Sequence, residues 1–185
     1  MHDPKIDPAL GVTYSADPTP GRHNQGGGQH PPSDLIPDLD RGARTGRGVG
    51  HKMSTNFHHA ISSLGLCQFV AGSYAHSDQL TEAIRAITGW EDFTTAELLA
   101  TGERATNVRQ AFNQREGITG PFKYPARLRG VPAKTVGPRA GITFTHEEVY
   151  NEYLEAMDWD TNTAKPSKAK LLELGLDDIA AVLWP

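Results

Sequence analysis

Proline and glycine are concentrated in the first 50 residues, and this restricts the possible fold more than any other feature of the sequence. Residues 1–50 contain seven prolines and nine glycines. Because both residue types interrupt regular backbone structure, neither a long helix nor a regular sheet is expected there. The same residues offer too few apolar side chains to form a core. We therefore predict an irregular arm over residues 1–50, ordered only by packing on another surface inside or outside this chain.

Residues 51–185 have the periodicity of α-helices. Apolar side chains recur there at intervals of three and four residues, and no segment shows the sustained alternation of a half-buried strand. The pattern predicts helices over residues 51–64, 77–88, 94–116, 145–157 and 166–174, with a further turn or two over 177–184. The predicted fold class is therefore all-α: an irregular Pro/Gly-rich arm over 1–50, followed by a helical domain over 51–185.

Single residues refine this prediction. Residues 118–142 contain four prolines and no sustained period, so we expect a loop. Gly102 lies on the buried face of the helix predicted over 94–116, where a missing side chain is useful if a second backbone packs closely. Polar side chains at Arg104, Asn113 and Arg115 are expected to bind the free carbonyl and amide groups of the loops.

Composition excludes several classes of function. The chain has one cysteine, which rules out an internal disulfide and a cysteine-rich zinc module and favours a reducing, cytoplasmic setting. Its formal charge of -4 is spread over interspersed acidic and basic residues, which does not suit a nucleic-acid-binding protein. No apolar run approaches the roughly 20 residues of a membrane-spanning helix, so we expect no membrane span.

Local sequence motifs by themselves identify no phosphate-binding or metal-binding site. Gly26-Gly27-Gly28 is not followed by a helix start, so it is better interpreted as a flexible turn than as a phosphate loop. His58 and His59 are adjacent on a predicted helix and point about 100° apart, so they cannot form the metal pair of an i, i+4 motif and are expected to be packed or solvated. From spacing alone, the single thiol of Cys67 has burial as its favoured role.

A resemblance changes the interpretation of Cys67. It is carried by Ser62-Ser63-Leu64-Gly65-Leu66-Cys67-Gln68-Phe69 and by strings that follow it in order along the chain. These strings lie at residues 89–90, 102–104, 107, 112–117, 125–128, 150–153, 157–160, 166–171 and 174–176, and a further one lies at 14–23. Together they make the chain similar to the C-terminal domains of the tungsten-containing aldehyde:ferredoxin oxidoreductase family. The chain thus resembles either a fragment or one subunit of such an enzyme.

The resemblance implies two cofactors that this chain cannot hold alone. In that family an N-terminal domain carries most of a tungsten bis-pterin cofactor and three cysteine ligands of a four-iron four-sulfur cluster. The fourth ligand lies in the motif Asp-x-x-Gly-Leu-Cys, which falls here on Ser62, Gly65, Leu66 and Cys67. By resemblance, Cys67 is the metal ligand. The expected cofactor-binding residues are Ser62, Gly65 and Leu66, of which Leu66 contacts the pterin through its backbone. Ser62 departs from the family's Asp and cannot accept two charge-assisted hydrogen bonds as a carboxylate does.

The resemblance also implies an activity. His23 corresponds to a histidine near the tungsten, where an imidazole can donate a proton or a hydrogen bond to the reacting carbonyl group. The expected enzyme oxidises aldehydes to carboxylic acids and passes electrons to ferredoxin. The expected partners are the N-terminal cofactor-binding portion and ferredoxin or another electron carrier, and the isolated chain is not expected to be active. Two alternatives stay open: a tungsten subunit of a benzoyl-CoA-reducing complex, and a helical scaffold without catalysis.

Overall fold

The described part of the chain is helical. The computed structural model describes residues 2–28, 34–36, 43, 45–71, 73–74, 76–120, 122, 124–145 and 147–185. These residues contain no β-strand, which confirms the all-α prediction. The helices are α1 (Pro8–Ala16), the short 3-10 helix η1 (Gly26–Gly28), α2 (Gly48–Ser63), α3 (Gln68–Ala71), α4 (Ser77–Thr88), α5 (Thr95–Arg115), α6 (Glu147–Ala156), α7 (Lys168–Glu173) and α8 (Asp177–Leu183).

Helix α1 adds regular structure to a segment that the sequence predicted to be irregular. Pro8 occupies the first turn, where a proline has no backbone bond to break, and the Asp7 carboxylate accepts a hydrogen bond from the Ala9 amide at 3.0 Å. Val12 and Ala16 then pack into a core cluster with α6, so the surface that orders this part of the arm lies in this chain. Most of the residues between η1 and α2 lie outside the described part of the chain.

Helices α2 and α5 cross closely at the centre of the molecule. A Cβ atom added to Gly102 of α5 would lie 1.7 Å from the backbone oxygen of Asn56 in α2. Only glycine allows the two backbones to approach this far. The prediction that Gly102 permits close backbone packing is confirmed.

Three core clusters hold the helices together. The first joins α1 to α6 around Tyr153, and the second joins α2, α4 and α5 around Phe57 and Leu98. The third joins α5, α7 and α8 around Leu171. Residues 118–142 contain no helix among the positions that the structure describes, as predicted.

Helix boundaries follow the expected capping chemistry with small shifts. The Thr94 hydroxyl accepts a hydrogen bond from the Glu97 amide at 3.2 Å and begins α5, whereas the Glu97 carboxylate pairs with Arg104 at 2.8 Å. Helix α4 is capped by His76, one residue before the predicted Ser77. Over the described residues, none of the helices is long and apolar enough to cross a membrane.

Candidate functional site

The end of α2 is a well-defined stop. Gly65 has a φ of +71°, and its amide donates to the Ser62 carbonyl at 3.1 Å. The Leu66 amide donates to the Ile61 carbonyl at 3.2 Å, and the Leu66 side chain packs on the core cluster that contains Ile61. These two hydrogen bonds and the apolar contact define a Schellman motif. The helix therefore ends in one fixed geometry, in which Gly65 is the residue with positive φ. We call residues 62–67 the α2 stop.

Cys67 follows this stop directly and is exposed as a free thiol. Its carbonyl accepts a hydrogen bond from the Val70 amide at 2.9 Å, which opens the short helix α3. The apolar residues around it are also exposed, Leu64 at 43%, Phe69 at 90% and Val70 at 42%. The burial favoured by spacing alone is wrong for this residue. The thiol lies on an apolar part of the surface, where a second protein surface can reach it.

The other motif residues are brought beside Cys67 by the same turn. Ser62 is exposed, but its hydroxyl donates to the His58 carbonyl at 3.0 Å, so its oxygen is left to accept a hydrogen bond from a ligand. The Leu66 amide is already used within the Schellman motif. Gly65 has open space where a side chain would stand, so the backbone conformation and not crowding requires glycine.

His23 lies in a different loop, between α1 and η1. The residue is exposed, and its ring stacks on the ring of His2 with 4.0 Å between the centroids. The structure therefore places His23 where another molecule can reach it. The turn at the end of α2 holds the other predicted site residues close together, whereas His23 lies on the segment that follows α1. Those residues are Ser62, Gly65, Leu66 and Cys67.

A buried polar network anchors the beginning of that loop, and no local sequence pattern indicates it. His59 Nε2 lies 3.0 Å from Asp17 Oδ2, and Arg109 donates to His59 Nδ1 at 2.9 Å. Since arginine can only donate, Nδ1 is the acceptor and Nε2–H is the donor to the carboxylate. Arg109 also bonds the hydroxyl of Thr19, whose amide donates to Asp17 at 2.8 Å. The network ties residues 17–19, which precede His23, to α2 and α5.

The histidines of α2 are buried. For His58 and His59, packing was one of the two outcomes expected from the sequence, and exposure to solvent was the other. His58 is buried, and its Nδ1 contacts the Ser54 carbonyl at 2.7 Å.

His51 is buried edge-on against Tyr153, and a Cβ on Gly27 would lie 2.5 Å from its ring. Burial lowers the pKa of His51 to about 3. The run Gly26–Gly28, interpreted from sequence as a flexible turn, is instead a 3-10 turn packed on this ring.

Polar side chains of α5 bind loops in part as predicted. Arg104 donates to the Leu174 carbonyl at 3.1 Å, and Asn113 donates to the Pro18 carbonyl at 2.8 Å. Arg115 instead pairs with the neighbouring Glu116 at 2.8 Å. These contacts assign Arg104 and Asn113 to positioning the backbone.

The donor set limits the metals that the described residues can hold. They contain no group of three or more His, Cys, Asp or Glu residues placed to bind a metal ion. A four-iron four-sulfur cluster is held by four ligands, normally cysteine thiolates, and this chain has a single cysteine. Cys67 fits such a cluster as one exposed ligand, with the others supplied from outside the chain.

Comparisons with known proteins identify the family to which the chain is similar. The family model described as "Aldehyde ferredoxin oxidoreductase, domains 2 & 3" matches residues 1–176. A tungsten-containing aldehyde ferredoxin oxidoreductase of Pyrococcus furiosus is 34% identical over 122 residues, which are 63% of this chain and 19% of that protein. The protein of the same description in Pyrococcus horikoshii is 32% identical over 121 residues, 64% of this chain and 19% of that protein. The aligned part thus spans about a fifth of each relative.

Proposed function

This chain belongs to the family of domains 2 and 3 of aldehyde ferredoxin oxidoreductase, and from that membership we propose that it forms the C-terminal part of a tungsten-containing oxidoreductase. The names of the aligned relatives support tungsten and an aldehyde substrate. The proposed acceptor is ferredoxin, and the proposed compartment is the reducing cytoplasm. The observation that carries the proposal is the exposed Cys67 held at the stop of α2.

The role of Cys67 in the proposal is to ligate a four-iron four-sulfur cluster. The other ligands come from a cofactor-binding segment or subunit that covers the apolar surface of Leu64, Phe69 and Val70. Because the Schellman motif fixes the backbone before Cys67, the thiolate is oriented before the cluster binds, and less conformational entropy is lost. The isolated chain is therefore expected to be inactive.

The remaining residues act on the pterin and the substrate. When bound, the tungsten cofactor supplies the redox chemistry of aldehyde oxidation to the acid, and the cluster carries the electrons to ferredoxin. The Ser62 oxygen accepts a hydrogen bond from the pterin, since its own proton is directed to the His58 carbonyl. Leu66 contacts the pterin through its backbone carbonyl. His23, exposed in its loop, donates a proton or a hydrogen bond to the carbonyl oxygen of the substrate.

The proposal is tested by replacing the proposed ligand in the assembled enzyme. The tagged chain is purified anaerobically from its own host together with its partner, as wild type and as Cys67→Ala. We expect wild type to contain iron and tungsten and to reduce viologen with an aldehyde as electron donor. We expect Cys67→Ala to lose the electron paramagnetic resonance signal of the reduced cluster and more than about 90% of the activity, because one of the cluster ligands is missing.

The matched control is Ser63→Ala, an exposed neighbour whose hydroxyl donates to the His59 carbonyl at 2.9 Å. Its cluster signal and activity should equal those of wild type. A Cys67→Ala enzyme with the full signal and full activity would remove Cys67 from the site. Wild-type chain that carries neither iron nor tungsten would refute the proposed function as a whole.

A further inference from the structure

The loop that carries His23 has a buried carboxylate beside both of its ends. We call residues 17–25, which connect α1 to η1, the His23 loop. Asp17 begins it and is 2% exposed, and its carboxylate accepts a hydrogen bond from the Thr19 amide at 2.8 Å. A Cβ atom added to Gly26, directly after the loop, would lie 3.1 Å from the same carboxylate. The chain therefore leaves Asp17 and returns to it.

Arg109 of α5 contacts the same two ends of the loop. Its guanidinium donates to the Thr19 hydroxyl near the beginning and to Gln25 Oε1 at the end, the latter at 3.5 Å. It also lies 4.0 Å from Asp17 Oδ1. A guanidinium has five N–H donors in a planar fork, so one side chain can serve several acceptors at once. Arg109 thus acts as a clamp that closes the His23 loop.

His59 of α2 completes the clamp. The ring is 2% exposed, and it lies between the guanidinium of Arg109 and the carboxylate of Asp17. Nδ1 accepts from Arg109 at 2.9 Å, and Nε2–H donates to Asp17 at 3.0 Å. The three side chains form one hydrogen-bonded unit that spans α2, α5 and the first residue of the loop. A change at Arg109 is therefore felt at both ends of the His23 loop.

We propose that Arg109 is a positioning residue for His23. By clamping both ends of the loop, it holds the exposed imidazole in one place relative to the substrate. The inference rests on the proposed function, in which His23 donates a proton or a hydrogen bond to the substrate carbonyl. Arg109 acts only through the loop. Because a group that is already in place loses less entropy when it reacts, the clamp should contribute to kcat more than to KM.

The kinetic test uses the assembled enzyme, purified anaerobically from its own host with its partner. Arg109→Lys keeps the charge but loses the planar fork, so we expect kcat to fall at least about tenfold and KM to stay within about twofold. In His23→Ala the positioned group is gone, so adding Arg109→Lys should cause no further loss of kcat. Arg115→Lys makes the same change at an exposed arginine of α5, and this control should match wild type.

A second measurement needs no cofactor. Amide hydrogen exchange of the full 185-residue chain is followed by mass spectrometry. We expect exchange over residues 17–25 to be at least about tenfold faster in Arg109→Lys than in wild type, because the loop opens more often without the clamp. Arg115→Lys should exchange like wild type. Far-ultraviolet circular dichroism checks that every variant keeps its helices.

The two measurements separate a failure of the clamp from a failure of the proposed function. Exchange over 17–25 at the wild-type rate in Arg109→Lys overturns the clamp, whatever the activity. An unchanged kcat in Arg109→Lys, or a further loss of kcat when it is added to His23→Ala, overturns the role in positioning His23. A wild-type enzyme without iron and tungsten refutes the proposed function and the kinetic role together, and faster exchange then supports the clamp alone.

Discussion

Cys67 is exposed because the chain leaves the helix three residues earlier in a fixed way. Leu64 caps the C-terminal end of α2, Gly65 turns the backbone at positive φ, and the Leu66 side chain packs on the core. The amide hydrogen bonds of Gly65 and Leu66 and the apolar contact of Leu66 leave the backbone before Cys67 few alternative conformations. The same turn therefore ends a helix and presents a thiol, which is the property that a shared metal ligand needs.

His51 makes the stability of the molecule depend on pH. Burial lowers its pKa from 6.5 to about 3, so between these values the unfolded chain binds a proton that the folded chain does not. The stabilising contribution of the neutral ring is complete above pH 6.5 and is lost as pH falls toward 3. We expect His51→Phe to reduce the slope of unfolding free energy against pH by about 1.4 kcal/mol per unit between about pH 6 and pH 4.

Urea denaturation at a series of pH values measures this slope. The carboxylates contribute equally in both proteins, so the difference between the two slopes reports His51 alone. Equal slopes for wild type and His51→Phe would mean that this ring takes up no extra proton on unfolding.

At the scale of residues, the sequence predicted what is local and missed what is distant. The α2 stop could be predicted because Gly65 and Cys67 are neighbours in one motif. The contact of Asp17 with His59 joins positions 42 residues apart, and that of Arg109 with His59 joins positions 50 residues apart. No spacing rule indicates such pairs, since only the packing of α1, α2 and α5 brings them together.

The sequence predicted the helices that have one apolar face and missed α1, which is buried on nearly all sides. Helices α4 and α5 have a polar face, a cap and a terminal glycine, so their pattern is visible in the sequence. Helix α1 is buried on nearly all sides and has little difference between its faces. Its two flanking prolines looked like breakers, although Pro8 begins the helix and Pro18 follows its end.

The crossing of α2 and α5 predicts different costs for two glycine substitutions. Gly102→Ala places a methyl group against the Asn56 carbonyl, and we expect a net destabilisation of about 2 kcal/mol or more, since the helices must separate. Gly65→Ala meets open space and is limited by its positive φ alone, so we expect about 1 kcal/mol.

Urea denaturation of the two alanine variants measures the difference, and Gly65→Asn is the control because asparagine tolerates positive φ. It should fall closer to wild type than Gly65→Ala. A stabilising Gly102→Ala would contradict the close crossing.

At the scale of the whole molecule, apolar surface is exposed in two separate places in the described part of the chain. One surrounds Cys67 after α2 and includes Phe69, and it lies within the region shared with the oxidoreductase family. The other is a groove between α5 and α8, lined by apolar residues that include Phe112 and Val182. The proposed function assigns the first surface to the cofactor-binding part of the enzyme.

Alkylation of Cys67 tests its role as a cluster ligand, because the chain has a single cysteine and each label is unambiguous. The measurement is the rate of iodoacetamide labelling by mass spectrometry, in the isolated chain and in the assembled enzyme. We expect the isolated folded chain to be labelled at nearly the rate of the denatured chain, because Cys67 is exposed. We expect Cys67 to be protected in the assembled enzyme and to be labelled again once a chelator has removed the iron. Equal labelling in the isolated chain and in the iron-loaded assembly would contradict a ligand role for Cys67.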